Sequence, residues 1–307
     1  MRLHDFLIAA IVSAALVPCI AAQEKKTFEI IDTHTHFYDP TRPQGVPWPG
    51  KNDKLLYLPV LPAEYKKLAQ PFGVVGAIVV EASPWLEDNQ WLLDLAAKET
   101  FLVGVIGHLD PMSDDFEKNL RRFARNPLYR GIRISHQDLT VGLKADLVER
   151  CKLLIEQNLV LDVNGGPEMP ADVARLAEKL PKLRIVINHC ANLRIDGKEP
   201  PPKWRAGMQA AAKHANVFCK VSALVESSAQ KPAPRDVDYY RPELDALWKD
   251  FGEDRLIFGS NWPVSDNGAP FATVVGIVTD YFTTKGERAA HKYFLTNSQT
   301  AYGWRKR

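Results

Sequence analysis

Two histidines one residue apart, His34 and His36, close the run Ile30-Ile31-Asp32-Thr33-His34-Thr35-His36. In an extended strand, side chains two apart share a face. Both imidazoles would therefore aim at one spot at the carboxyl end of a strand, as two neutral nitrogen ligands for one divalent ion. Taken alone, the same spacing also describes two surface histidines in a loop. Position favours the first reading: the pair ends the first strand-like run of a chain that then alternates strand and helix.

The runs that follow also finish in polar residues. Glu81 ends the second, and His108 and Asp110 end the third. Arg130, Arg133, Ser135 and His136 belong to the fourth, Asp162 and Asn164 to the fifth, Asn188 and His189 to the sixth. Lys220 and Ser222 lie in the seventh, Ser260 and Asn261 at the end of the eighth. Each has a plain structural alternative. Glu81 could be half of an ion pair with a barrel arginine, Asp32 could orient a neighbouring histidine, and His108 could be a satisfied core histidine. His136 reads as a loop residue, and His214 and His291 read as lying outside any chemistry. His189 differs, because it terminates the apolar strand Ile185-Val186-Ile187-Asn188; a functional role is favoured there.

The elements that must position these residues are legible as apolar runs at fairly even intervals: Phe28–Asp32, Val74–Val80, Leu102–Gly107, Gly131–Ile134, Leu159–Val163, Arg184–Asn188, Val217–Val221 and Leu256–Gly259. Most are continuous rather than alternating, as expected of strands buried on both faces of a parallel sheet. Helical stripes intervene: Trp91, Leu92, Leu95 and Ala96; Phe116, Leu120, Phe123 and Ala124 after the capping-box-like start Asp114-Asp115-Phe116-Glu117; Leu143, Leu147, Cys151, Leu154 and Ile155; Val173, Leu176, Ala177 and Leu180; Leu244, Leu247, Trp248 and Phe251. Such alternation over roughly 250 residues fits a (β/α)8 TIM barrel, with a doubly wound open sheet as the alternative. No GxGxxG or Walker loop follows a strand, so nucleotide binding has no support. Segments 40–62, 192–202 and 227–242 fall outside the repeat and follow strands, which puts them over the catalytic face.

Composition narrows the class. With 307 residues, 46% hydrophobic and 25% charged, the chain is an ordinary globular one. A net charge of +2 gives no electrostatic case for nucleic acid or an anionic membrane. The N-terminus is expected to be a secretory signal peptide, residues 1–22: Arg2, an apolar run from Leu7 to Ile20, and cleavage near Ala22. An uncleaved anchor and a lipoprotein signal acylated at Cys19 are weaker alternatives. The barrel would then be a single domain over 23–307, exported to the periplasm or medium. Its remaining cysteines, Cys151, Cys190 and Cys219, are odd in number and have no CxxC spacing, so buried free thiols are expected rather than a disulfide framework.

Taken in order, Ile31-Asp32-Thr33-His34-Thr35-His36, Arg130-Gly131-Ile132-Arg133, Ile187-Asn188-His189-Cys190, Phe218-Cys219-Lys220-Val221-Ser222 and Arg255-Leu256-Ile257-Phe258-Gly259-Ser260-Asn261-Trp262-Pro263 resemble the strand motifs of the amidohydrolase superfamily. The resemblance is to the amidohydrolase-related branch that holds sugar-acid lactonases and 2-pyrone-4,6-dicarboxylate lactonase, and it spans the whole mature chain. It implies a barrel hydrolase of lactones or related cyclic esters, acting on a small molecule, with oligomerisation left open. His34 and His36 would hold a divalent metal, zinc or manganese. His189 would polarise the substrate carbonyl, and Arg130, Arg133, Lys220 and Trp262 would bind substrate.

One departure stands out. The family's eighth strand usually ends in Asp, which takes the proton from the attacking water, and here the residue is Asn261. An amide has no basic lone pair for that proton. Another residue must then be the base, with Glu81 first, then Asp266 and Asp162. Otherwise the metal site is weakened, or hydrolysis is lost and the barrel only binds its ligand. Metal-dependent non-oxidative decarboxylation is a further alternative.

Overall fold

In the computed structural model, the apolar runs become eight parallel strands: β1 (Ile30–Thr35), β2 (Val74–Val80), β3 (Leu102–Gly107), β4 (Tyr129–Ser135), β5 (Val160–Asn164), β6 (Ile185–Ile187), β7 (Val217–Val221) and β8 (Leu256–Phe258). They pair in sequence order, each with the next. The sheet closes where β8 returns to β1: Asn261 N donates to His34 O at 2.8 Å and His36 N to Trp262 O at 2.9 Å. The architecture is the expected (β/α)8 barrel in one domain, not the open sheet. The structure describes residues 28–307, so the expected signal segment, its cleavage point and Cys19 lie outside the described residues. Among the described residues, no helix is long and apolar enough to cross a membrane, and Cys151, Cys190 and Cys219 are buried free thiols.

The helices are α1 (Pro62–Ala69), α2 (Leu86–Lys98), α3 (Phe116–Ala124), α4 (His136–Gly142), α5 (Leu147–Glu156), α6 (Met169–Lys179), α7 (Pro202–Ala212), α8 (Leu224–Ser227), α9 (Arg241–Phe251), α10 (Phe271–Thr284), α11 (Glu287–His291) and α12 (Asn297–Tyr302). Their stripes pack on the outside of the sheet: Phe116, Leu120 and Phe123 of α3 are buried there, as are Leu244, Leu247 and Phe251 of α9. Two local expectations change. Asp115 precedes α3 without making a side-chain cap. The stripe beginning at Leu143 starts at the C-terminal cap of α4 and continues on α5 from Leu147; at the other end of α4, Ser135 is the cap, accepting from Asp138 N at 3.1 Å, while Asp138 accepts from Ser135 N at 3.0 Å. His136 therefore starts a helix, not a loop, and its Nε2 lies 3.1 Å from Asp172.

Inside the barrel, side chains stack in layers because alternate residues of each strand point inward. Val160 of β5, Val186 of β6, Phe218 of β7 and Ile257 of β8 form an apolar floor with Tyr302 and Trp304 from the C-terminal segment. Two residues further along, β5 and β7 bring Asp162 and Lys220 to the centre. Two further again, Asn164 and Ser222 stand near the mouth. The functional chemistry is built on this third layer and rests on the second.

Candidate active site at the carboxyl mouth of the barrel

The buried middle layer fixes the histidines. Lys220 and Asp162 have no exposure and pair at 2.9 Å. Lys220 Nζ also donates to Thr33 O at 2.9 Å and lies 3.2 Å from His34 Nδ1. Asp162 further accepts from Asn188 Nδ2 at 3.0 Å and from the Tyr302 hydroxyl, 3.0 and 3.1 Å from its two oxygens. Burial lowers the Lys220 ammonium from its ordinary value, and the Asp162 carboxylate opposes that. Three acceptors surround Nζ and account for three ammonium protons. Asp32 has the orienting role: it accepts from the backbone N–H of His34 and of Ser260, each at 2.9 Å, and from the Tyr65 hydroxyl.

This network also sets the proton on each imidazole. His36 Nδ1 is 3.0 Å from Val80 O, which has only lone pairs to offer, so His36 Nδ1 carries a proton and its Nε2 does not. His34 Nδ1 accepts from Lys220, which leaves the proton of His34 on Nε2, 3.2 Å from His36 Nε2. The rings satisfy each other. Burial, with the Lys220 charge beside His34 and the Arg133 charge beside His36, pulls both below the ordinary imidazole range, His36 down to about 3. As protonated, His34 has no lone pair left for a metal. Among the described residues no third His, Cys, Asp or Glu joins the pair to make a metal-holding group, and the β8 position beside them is the amide Asn261. A catalytic zinc ordinarily takes three protein ligands. As protonated here, the pair by itself falls short of that number.

Above this layer opens a cavity of about 590 Å³, lined by His36, Trp48, Glu81, His108, Arg133, Asn164, His189, Asn192, Glu226 and Asn261 among others. Its size suits a small-molecule ligand. The walls include all three segments expected over the mouth: Trp48 from the first, Asn192 from the second and Ser227 from the third. His189 is reached through left-handed backbone, with φ of 54° at His189, 51° at Cys190, 60° at Ala191 and 46° at Asn192. Ala223 and Asn261, after β7 and β8, have φ of 55° and 60°. Non-glycine residues in this region carry strain of order 1–3 kcal/mol each, and such strain clusters at functional sites. His189 Nδ1 is held 2.8 Å from Ser222 Oγ. Burial and the positive charges of Lys220 and Arg133 keep its ring neutral, well below the usual range.

Arg133 and Glu81 face the cavity as a pair. Arg133 Nε donates to Glu81 Oε1 at 2.7 Å and Nη2 to the Glu81 carbonyl at 2.8 Å. Glu81 is thus committed to holding a guanidinium, the ion-pair alternative raised from its sequence. Across the cavity, Asn261 Nδ2 donates to Glu226 Oε1 at 2.7 Å, and Glu226 Oε2 is buried without a hydrogen-bond partner among the described residues. Burial pushes the Glu226 carboxyl up to about 7, with the Asn261 hydrogen bond opposing. Sequence reasoning passed over Glu226. The available signal was its position five residues beyond the end of β7, just before segment 227–242.

Three expected substrate residues lie elsewhere. Arg130 sits near the amino end of β4, three residues and roughly 10 Å of strand below Arg133. Its Nε donates to Tyr302 O at 2.7 Å and its Nη1 to Pro127 O at 3.2 Å, and it lines a separate cavity with Arg305 and Arg307. Lys220 is one layer too deep and is closed off beneath the histidines. Trp262 is buried against Tyr65 and Phe37, with ring centroids 5.1 and 6.3 Å away, behind the cavity wall. Of the alternative bases, Asp162 is consumed by Lys220 and Tyr302, and Asp266 is not among the lining residues.

The chain matches the family described as Amidohydrolase over residues 31–304. An L-fucono-1,5-lactonase of Burkholderia ambifaria is 33% identical over 238 residues, covering 76% of this chain and 80% of that protein. An amidohydrolase from Burkholderia multivorans, solved with bound zinc, superposes with a TM-score of 0.81 at 24% identity, covering 90% of this chain and 99% of that one. A candidate 2-pyrone-4,6-dicarboxylic acid hydrolase from Acinetobacter baumannii, solved with citric acid, gives 0.71 at 13% identity, covering 90% and 99%. The two structural likenesses speak for the fold, while the match along nearly the whole barrel and the lactonase relative speak for descent: the chain belongs to the amidohydrolase family.

Proposed function

We propose that the protein is an exported hydrolase that opens a sugar-acid 1,5-lactone or a closely related cyclic ester. One observation carries the reading: a cavity of about 590 Å³ joins a neutral histidine, an arginine and a ring of amide and hydroxyl groups. The 33% identical L-fucono-1,5-lactonase supports the substrate class. Export rests on the signal-like residues 1–22.

In this mechanism the lactone carbonyl lies against His189. With the Ser222 hydroxyl donating to Nδ1, Nε2 carries the proton of the ring and donates to the carbonyl oxygen as it gains negative charge. Arg133, held by Glu81, presents a forked donor for ring hydroxyls, and Asn164, Asn192 and His108 supply further polar contacts. Asn261 positions its neighbours through its amide. Because a lactone is an activated ester, these donors and one proton acceptor suffice.

The test is turnover of a panel of aldono-1,5-lactones, including L-fucono-1,5-lactone, and of aryl esters, by purified protein with and without zinc or manganese. No turnover under any of these conditions sinks the proposal. Thermal stabilisation by a lactone that is never consumed would make the protein a binding barrel instead. Zinc or manganese at His34 and His36 is the second reading. It is favoured by the 3.2 Å between their Nε2 atoms, close to what two nitrogens about 2.1 Å from one ion would show. It requires His34 to give up its Nε2 proton, and it predicts activity lost on chelation and restored by the ion.

A further inference from the structure

We propose that Glu226, on the short helix α8 after β7, is the proton acceptor that activates water for lactone opening, in place of the carboxylate that the end of β8 lacks. The assignment rests on the lactonase reading above. Glu226 lines the same cavity as His36, His189 and Arg133. Among the described residues that line it, the other carboxylate, Glu81, is engaged by Arg133, and Asp162 lies in the sealed layer below.

The surroundings hold Glu226 in place from several sides. Asn261 Nδ2 donates to its Oε1 at 2.7 Å. A carboxylate at position 261 could not donate that bond, so the amide suits a site whose base is next door. Lys231 Nζ donates to the carbonyls of Val225 and Glu226 at 3.2 and 3.0 Å, fixing the helix that carries it. Gly268 presses on the same peptide: a Cβ there would come within 2.6 Å of Val225 C and 2.9 Å of Glu226 N. Against this restraint, Glu226 Oε2 is left buried and unpaired among the described residues, and buried polar groups without partners are uncommon. With a carboxyl that titrates at about 7, both the ionised and the protonated form are populated at neutrality, which suits a group that takes a proton and gives it back.

The step balances as follows. A lone pair of water forms the new C–O bond at the lactone carbonyl carbon, and the carbonyl π pair moves to oxygen beside the His189 N–H. The proton leaving water goes to the Glu226 carboxylate. The tetrahedral intermediate then re-forms its C=O and breaks the ring C–O bond. Glu226 returns its proton to the departing ring oxygen, giving the open hydroxy acid, whose carboxyl proton is lost to solvent.

The test is the pH dependence of kcat and KM for wild type, Glu226→Gln, Glu226→Asp and Glu226→Ala, with the lactone turned over fastest in the panel. Wild-type kcat/KM should rise through about pH 7. Glu226→Gln should lower kcat by about 10²–10⁴, change KM little and abolish that rise. Glu226→Asp should retain part of the activity, and formate should restore part of it to Glu226→Ala. A folded Glu226→Gln within about tenfold of wild type overturns the assignment and leaves the lactonase reading standing. So does a wild-type profile with no limb near neutrality, which needs no variant to fold. Absence of turnover by wild type on every lactone overturns both.

Discussion

A buried carboxyl that must ionise for function should weaken the fold, and Glu226→Gln measures by how much. Burial raises Glu226 from the ordinary 4.5 to about 7. Between those values the folded protein holds a proton that the unfolded chain has released, so stability falls as pH rises through this window. The gap of about 2.5 pH units, at about 1.4 kcal/mol each, sets an upper bound of roughly 3.5 kcal/mol; the partial exposure of the residue reduces this to about 1–3 kcal/mol. Gln is isosteric, can still accept from Asn261 and never ionises. Urea denaturation of both proteins at pH 5 and pH 8 isolates the effect, because any pH-independent cost of the substitution cancels. Relative to wild type, Glu226→Gln should gain about 1–3 kcal/mol on going from pH 5 to pH 8, while losing activity. An equal difference at the two pH values would refute the argument that Glu226 is a buried carboxyl forced to ionise.

Other positions give separate outcomes. Wild type as purified should hold well under one equivalent of zinc or manganese, and Asn261→Asp, which adds a carboxylate beside His36, should raise the content; elemental analysis decides. Lys220→Met should cost about 3–5 kcal/mol by leaving Asp162 buried without its cation, and Lys220→Met/Asp162→Asn should recover part of that in chemical denaturation. Arg133→Lys should raise KM by roughly tenfold or more by losing the forked geometry. Arg130→Ala should leave KM unchanged while lowering stability by roughly 1–3 kcal/mol, through the carbonyls of Tyr302 and Pro127 that it would abandon.

The barrel was legible because each strand is a short, continuous apolar run that only a sheet covered on both faces can bury. Three of the eight strands, β2, β3 and β7, have the expected boundaries, and the other five differ by one to three residues at an end. The location of the site was legible for the same reason, since an apolar strand has little cause to finish in His or Asn except at a mouth. Depth was not legible. Lys220 and Ser222 are two residues apart and face the same way, yet one is sealed in an ion pair and the other holds His189. Arg130 and Arg133 look equivalent in a four-residue motif, but the length of strand between them puts them at opposite ends of the barrel. The pairing of Glu81 with Arg133 and of Glu226 with Asn261 joins residues 52 and 35 apart in sequence, which no local pattern encodes.

Glu226 and Asn261 together change what the departure at β8 means. Read along the sequence, an amide where the family usually has Asp removes the base and leaves the histidine pair without its partner. In space, the amide faces a carboxylate and donates to it, and the histidines are neutral and hydrogen-bonded to each other above an ammonium. An Asp at 261 would set two carboxylates in contact, and like charges that close cannot both ionise near neutrality. The site therefore has room for one carboxylate at this corner, and Glu226 already occupies it. Asn261 is better understood as the donor that keeps the carboxylate in place than as the remnant of a lost one.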